Sequence, residues 1–217
     1  MKNFLYFLIP AVLFLACGPQ ERISKSVFDE VNKGMEAKKL SEAQITQEAM
    51  IWGDSISNEA QQQLMANLHK AVNEQGATGA LNFCNVNAAP IIKKLSEKYG
   101  VIIRRTSSRA RNQENLPIKE EFPILDAYQY NAENGIENKP NIQTIEGGDV
   151  LLYTKAIVIS TEFCLSCHGD PQKDIETGVL SKIDSIYPRD LARGFEVGDL
   201  RGMWSLKIPK KDVVLRF

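Results

Sequence analysis

The feature that most constrains this chain is the segment EFCLSCHGD at residues 162–170, in which two cysteines stand three positions apart and a histidine follows the second. The sequence has only four cysteines and two histidines in 217 residues. Cys164, Cys167 and His168 therefore take half of each scarce residue type, and the composition gives roughly 10⁻³ chance matches to this pattern. A spacing so improbable by chance predicts a site at which these three side chains act together.

Three kinds of site use cysteines at this spacing. In covalent haem attachment, both thiols form thioethers with the haem vinyl groups, and the adjacent histidine binds the iron. A thioredoxin-like redox pair would use Cys164 and Cys167 as a dithiol and disulfide. A zinc site needs four ligands, which the other histidine and the remaining cysteines barely supply. Haem attachment alone requires all three residues in this order, so we predict one covalently bound haem c, with His168 as an iron ligand.

The N-terminus predicts the compartment. A basic start at Lys2 precedes an apolar run from Phe4 to Leu15, which is too short to span a bilayer and has the length of a signal-peptide core. The run ends in FLAC, which resembles the lipobox of bacterial lipoproteins. We predict that residues 1–16 are a lipoprotein signal peptide and that Cys17 is lipidated; the alternative is an ordinary signal peptide. Several acyl chains would anchor the protein firmly to a membrane. We expect it outside the cytoplasm in the bacterial envelope, on the periplasmic side.

The remaining cysteine, Cys84, has no partner in this scheme. An odd thiol in an oxidising compartment needs a use. Cys84, Ala88, Ile91 and Leu95 follow helical spacing and predict an apolar face, which a haem requires on its wall. One hypothesis makes Cys84 the second iron ligand, across the haem from the motif histidine. The alternative is a buried core cysteine, a common fate of free cysteines.

Three other side chains could also bind iron. His69 lies beside Leu68 in a segment rich in Gln, Asn and Lys, so we expect it to be a solvated surface residue. Met65 and Met203 are expected to be packing residues.

Charge and composition limit the partners and the domain count. The formal net charge of −1 gives no reason to expect nucleic acid as a partner. With 43% hydrophobic residues the chain can bury one substantial core. We assign residues 17–54 to a lipidated tether with partial helix and residues 55–217 to one haem-c domain. No polar distal acid–base set is recognisable, so we do not expect an enzyme.

The hydrophobic pattern predicts an α+β domain, with N-terminal helices packed on an antiparallel sheet. Leu64, Leu68 and Val72 predict a helix that begins near Ser57 or Asn58 and stops at Gly76. A second helix should run to Tyr99, with Pro90 dividing or bending it. We predict a loop with a short helix over residues 109–135, and strands over residues 101–107, 147–159 and 201–209.

A cluster of arginines lies at the end of the first predicted strand, at Arg104, Arg105, Arg109 and Arg111. Haem carries two propionates, and guanidinium groups pair well with carboxylates. We expect Arg105 or Arg111 to meet a propionate or to brace a loop; the alternative is a solvated charge run. Tyr187 and Trp204 are expected either to pack on the porphyrin or to belong to the core.

Four segments together resemble one family: LNFCNVNAAPI, RRTSSRARNQENLP, CLSCHG and YPRDLARGFEVGDLRGMWSLKIP. The family is that of haem-c-binding domains with a PAS-like fold, found alone or as the extracytoplasmic sensors of bacterial histidine kinases and chemoreceptors. The resemblance covers roughly residues 55–210. It implies a PAS-like fold and Cys84 as the sixth iron ligand. The sequence departs from the family at Gln113, where proline is usual, and lacks a tryptophan expected shortly after Pro117, which affects only loop geometry.

Two functions are compatible with these predictions. The first is a membrane-anchored c-type cytochrome that transfers electrons or serves as a redox partner in the envelope, since a thiolate ligand lowers the reduction potential. The alternative is a redox or gas sensor, for nitric oxide for example, that signals through a separate partner protein.

Overall fold

The computed structural model describes residues 24–27 and 40–217. The chain divides into two units, Met1–Lys39 and Leu40–Phe217, and only residues 24–27 of the first are described. The predicted signal peptide, the lipidation site at Cys17 and the first part of the predicted tether lie outside the described residues.

The first long helix, α1, spans Glu42–Val86. It begins with a capping box: the Gln44 backbone N–H donates to Ser41 Oγ at 3.3 Å, and the Ser41 N–H donates to Gln44 Oε1 at 2.9 Å. The predicted start near Ser57 or Asn58 is therefore wrong. Ser57 is buried inside the helix and donates its hydroxyl to the Asp54 carbonyl at 3.0 Å.

The beginning of α1 belongs to the folded core. Ile45, Ala49 and Trp52 are buried against the sheet, at the spacing of one helical face. Residues 42–54, which the sequence analysis assigned to the tether, are thus part of the compact unit, which begins at Leu40.

Two interruptions shape the end of α1. Gly76 has φ 69° and ψ 175°, which breaks the helix where the stop was predicted, but the helix then resumes. A second break at Asn87 separates α1 from α2, Ala88–Tyr99. Pro90 lies in the first turn of α2, where its missing N–H costs no hydrogen bond. Cys84 consequently lies in the last turn of α1, and the single apolar face predicted from Cys84 to Leu95 is divided between two helices.

Four strands form one sheet in the order β1-β4-β3-β2, and all neighbours are antiparallel. The three predicted strands are present with small differences in length, whereas β2 was not predicted because its residues are mostly polar and exposed. The strands are β1 Ile102–Thr106, β2 Asn141–Ile145, β3 Val150–Val158 and β4 Leu200–Pro209. The remaining helices are α3 Phe122–Glu133, α4 Glu162–His168, α5 Thr177–Ile186 and α6 Lys210–Val214, with 3₁₀ turns at Gln113–Asn115 and Glu146–Gly148.

Both faces of the sheet are covered. Alternate residues of β3 and β4, including Tyr153 and Trp204, pack against α1 and α2. The opposite face, including Leu152 and Met203, packs against α3. This arrangement confirms the predicted α+β class with helices on an antiparallel sheet. It also confirms Met203 as a packing residue, and Trp204 lies in the main core.

Candidate functional site

The residues proposed from the sequence as cofactor contacts line one cavity of about 570 Å³. Its walls come from α1, the ends of β1, β3 and β4, and α4, which the fold brings together from distant parts of the chain. Four apolar side chains of α1 form much of one wall: Leu64, Leu68, Val72 and Leu81. The predicted residues on the cavity are Cys84, Arg105, Arg111, Cys164, Cys167 and His168.

The motif itself forms the short helix α4. Residues three apart on a helix lie on the same side, so the two thiols share one face. Both are free and half-buried. Cys164 packs against a small cluster that contains Phe195, whereas Cys167 packs against the cluster that joins Leu81 to α5. The motif is therefore held between two separate apolar clusters, with both sulfurs on the cavity wall.

The His168 ring is oriented by the backbone. Its Nδ1 lies 2.8 Å from the Ala192 carbonyl oxygen, so Nδ1–H donates there and the Nε2 lone pair is left free. Burial lowers the pKa of His168 well below its ordinary value, and the charges of Arg201 and Arg111 lower it further. The ring is therefore neutral at pH 7. A neutral imidazole with its second nitrogen bound to a carbonyl is the usual state of a metal-binding histidine.

The loop at residues 190–195 lies against the end of α4 and is held there by hydrogen bonds. Arg111 Nη2 donates to the carbonyls of Cys167 at 2.5 Å and Ala192 at 3.1 Å, and its Nε donates to Asp190 Oδ1 at 3.2 Å. Although burial opposes ionisation, Arg111 and Arg193 hold the pKa of Asp190 below its ordinary value. Arg111 thus braces a loop, the second of the two roles considered from the sequence.

The same loop is tied to α4 by its backbone. The Gly194 N–H donates to the Gly169 carbonyl at 2.7 Å, and the Phe195 N–H donates to the His168 carbonyl at 3.0 Å. The buried Phe195 ring stands edge-on to the imidazole, with 6.3 Å between ring centroids. These contacts fix the position of His168, and none of them was recognisable in the sequence because each depends on the path of a loop.

Cys84 presents its exposed surface to the cavity. It is therefore on the cavity wall and not sealed in a closed core, which was the alternative. Burial by the surrounding protein raises the pKa of the thiol, and Cys167 raises it further, whereas Arg105 and Arg111 oppose both effects.

The arginines of the predicted cluster have different surroundings in the structure. Arg104 pairs with the fully buried Glu121 at 3.3 Å, and the Arg109 guanidinium lies 3.9 Å from the Phe195 ring centroid. Arg105 lies 6.0 Å from the Trp204 ring centroid and lines the cavity. A further arginine, Arg201 at the start of β4, also lines the cavity. It was missed because a single arginine in a strand carries no motif.

The remaining residues considered from the sequence as haem contacts are His69, Met65 and Tyr187. His69 is exposed, as predicted, and stacks on Phe163 with ring centroids 4.4 Å apart. Met65 and Tyr187 line the cavity. Within residues 24–27 and 40–217, no three or more histidine, cysteine or acidic side chains are grouped closely enough to hold a metal ion by themselves. None of the helices in the same ranges has the length and apolar character needed to cross a membrane.

A family model described as Tll0287-like matches residues 29–209. The chain belongs to the Tll0287-like family. The family resemblance stated from the sequence is thereby confirmed. Among solved structures, the crystal structure of the cyanobacterial heme-protein Tll0287 is similar, at 23% sequence identity and a TM-score of 0.45. That alignment covers 68% of this chain and 91% of the other. None of the curated proteins matches the chain.

Proposed function

We propose that this member of the Tll0287-like family is a membrane-anchored c-type cytochrome that transfers electrons, or serves as a redox partner, in the bacterial envelope. The observation that carries the proposal is the shared cavity: the two thiols and the imidazole of α4 face the same space as a thiol from the end of α1. The chain belongs to the Tll0287-like family, and the protein Tll0287 is described as a heme-protein, which supports haem as the cofactor.

The side chains that line the cavity match the parts of haem c one by one. Cys164 and Cys167 would form the two thioethers, and His168 Nε2 would bind the iron. Cys84 would supply a sulfur ligand to the iron. The α1 leucines and Val72 supply an apolar wall, and Arg105 and Arg111 supply positive charge near it. When bound, the haem provides the one-electron chemistry of its iron.

The side chains around the cavity set the properties of this site. The Ala192 carbonyl holds the His168 ring in the tautomer that binds metal, and Arg111 holds the loop that carries this carbonyl. Burial raises the pKa of the Cys84 thiol, and the positive charges of Arg105 and Arg111 offset part of this rise. An anionic sulfur ligand lowers the reduction potential of the haem iron, which suits a protein that transfers electrons at low potential. We propose no catalytic activity, since the other histidine, His69, does not line the cavity.

The position of Cys84 also favours a second function. The segment 77–86 that carries this residue is bounded by the helix breaks at Gly76 and Asn87. If the bond from Cys84 were released on reduction or on binding nitric oxide, this segment could shift as a unit. The alternative is therefore a redox or gas sensor that passes its signal to a separate protein.

Cys84→Ala tests the sulfur ligand and distinguishes these functions. We expect the variant to keep its covalent haem, because the motif cysteines do not depend on Cys84, and to form a carbon monoxide complex readily when reduced. Its reduction potential should rise, since the anionic ligand is lost. A wild-type spectrum that is six-coordinate and unaffected by carbon monoxide favours electron transfer, whereas ready complex formation favours sensing.

Cys84→Met is the matched control for this test. A neutral thioether should also raise the potential and can retain six-coordination. Oxidised and reduced spectra of Cys84→Ala identical to those of the wild type would contradict the assignment of Cys84, and Met65, which lines the same cavity, would then be the next residue to test.

We propose further that the mature protein is tethered by lipid at Cys17 and faces the periplasm. Cys17→Ser should prevent lipid attachment and release the protein from membranes, measured by fractionation and mass spectrometry of the N-terminus. Recovery of a correctly processed, fully membrane-bound Cys17→Ser protein would refute the lipid anchor.

A further inference from the structure

Two arginines on neighbouring strands share one end of the sheet and line the cavity. Arg105 belongs to β1 and Arg201 to β4, and these strands pair antiparallel with Thr106 opposite Met203. The same end of the sheet leads from β3 into α4, since Val158 pairs with Leu200. The two guanidinium groups therefore border the space that the cysteine motif faces.

Within the described part of the chain, no carboxylate forms an ion pair with either arginine. Arg201 donates to the Arg109 carbonyl at 3.3 Å and lies 5.6 Å from the Phe195 ring centroid, and Arg105 contacts the Trp204 ring. Other arginines do have acidic partners: Arg104 pairs with Glu121, and both Arg111 and Arg193 pair with Asp190.

The absence of an acidic partner has an electrostatic consequence. Burial, together with the charges of Arg111 and Arg105, lowers the pKa of Arg201 to about 9, although the charge of Asp190 partly opposes them. Burial likewise lowers the pKa of Arg105. Both arginines are half-buried, and charges that are partly withdrawn from water are normally paired, because desolvation without compensation is costly. Two unpaired cations on one cavity wall thus favour a ligand that brings negative charge to that wall.

We propose that Arg201, together with Arg105, binds the carboxylates of the porphyrin, with Arg201 as the main anchor. This inference rests on the proposed function and adds a residue to it. Guanidinium groups bind carboxylates with short, charge-assisted hydrogen bonds, and the planar fork of arginine suits a propionate. The contact also fixes the rotation of the porphyrin in its plane, because the thioethers hold one edge and the arginines hold the propionates.

The test uses a ligand without iron. The full chain carrying Cys164→Ala and Cys167→Ala, purified without haem, is titrated with metal-free protoporphyrin IX and with its dimethyl ester, and binding is followed by fluorescence. A charge-assisted hydrogen bond contributes about 1.5–3 kcal/mol, so the free acid should bind roughly 10- to 100-fold more tightly than the ester. Adding Arg201→Gln should remove most of this difference, and Arg201→Lys should restore part of it.

Arg189→Gln is the matched control. It removes the same charge from an exposed arginine that does not line the cavity, and it should leave the preference for the free acid unchanged. Equal binding of acid and ester, or an unchanged preference in Arg201→Gln, would overturn the arginine anchor while leaving covalent haem attachment intact. If neither porphyrin binds to a folded chain, the anchor is also wrong.

If the double-cysteine variant does not fold, a second measurement on the haem-loaded chain tests the same contact. In the haem-loaded chain, Arg201→Gln should lower the reduction potential relative to wild type and Arg189→Gln, because a positive charge near the iron is lost. Its potential should also depend more steeply on pH between about 5 and 7, since an unpaired propionate takes up a proton more readily. Identical potentials and pH profiles in all three proteins would exclude the contact.

Discussion

Replacing both Cys164 and Cys167 with alanine should abolish covalent haem attachment. The two thioethers have no other source in α4, and Cys84 lies on a different helix. Pigment that remains in the double variant would be held only by His168, Cys84 and noncovalent contacts, and acid–acetone extraction should remove it completely. The measurement is haem per chain after extraction, compared with the wild type, which should keep its full complement.

Three further variants are the controls for this prediction. Cys84→Ser changes a cysteine of the same cavity and should leave covalent haem undiminished. Each single change, Cys164→Ala or Cys167→Ala, should leave one thioether and therefore a reduced but measurable yield of attached haem. Haem that survives extraction from the double variant would contradict the central assignment.

Gly53→Ala should destabilise the fold strongly. A Cβ at this position would lie 2.4 Å from Cγ and 2.5 Å from Cδ2 of Tyr153. The ring cannot give way easily, because it is fully buried in a central strand and its hydroxyl donates to Asp54 Oδ1 at 3.1 Å. Overpacking a core costs about 1–3 kcal/mol or more and outweighs the gain of about 1 kcal/mol from replacing glycine in a helix.

We therefore expect Gly53→Ala to lower the free energy of unfolding by about 2 kcal/mol, and the melting temperature by roughly 4–8 °C. Gly178→Ala is the matched control, because the nearest atom to its added Cβ is Thr78 Oγ1 at 3.7 Å and the residue is exposed in α5. That change should be neutral or stabilising by about 0.5 kcal/mol. Equal effects in the two variants, measured by thermal and urea unfolding of the haem-loaded chain, would refute the packing argument.

Local patterns accounted for the sequence predictions that the structure confirmed. The spacing within the motif makes one short helix present both thiols and the histidine, whatever surrounds it. Runs rich in β-branched and aromatic residues predicted β1, β3 and β4, and Gly76 predicted a helix break, because each preference is a property of a few consecutive residues. The capping box formed by Ser41 and Gln44 is an equally local pattern, and it marks the start of α1.

The sequence by itself therefore determined the cysteine–histidine motif, the main strands and the family to which the chain belongs. Only the tertiary structure decided that Cys84 faces the same cavity as the motif and that Arg111 braces the loop beside His168. It likewise decided that Arg201 faces the cavity with no ion pair to a carboxylate of residues 24–27 or 40–217. It also decided that Gly53 must be glycine, since nothing near this residue in the sequence reveals the Tyr153 ring packed against it. The physical reason is the same in each case: distances between residues far apart in the chain arise from how helices and strands pack, and local spacing does not encode them.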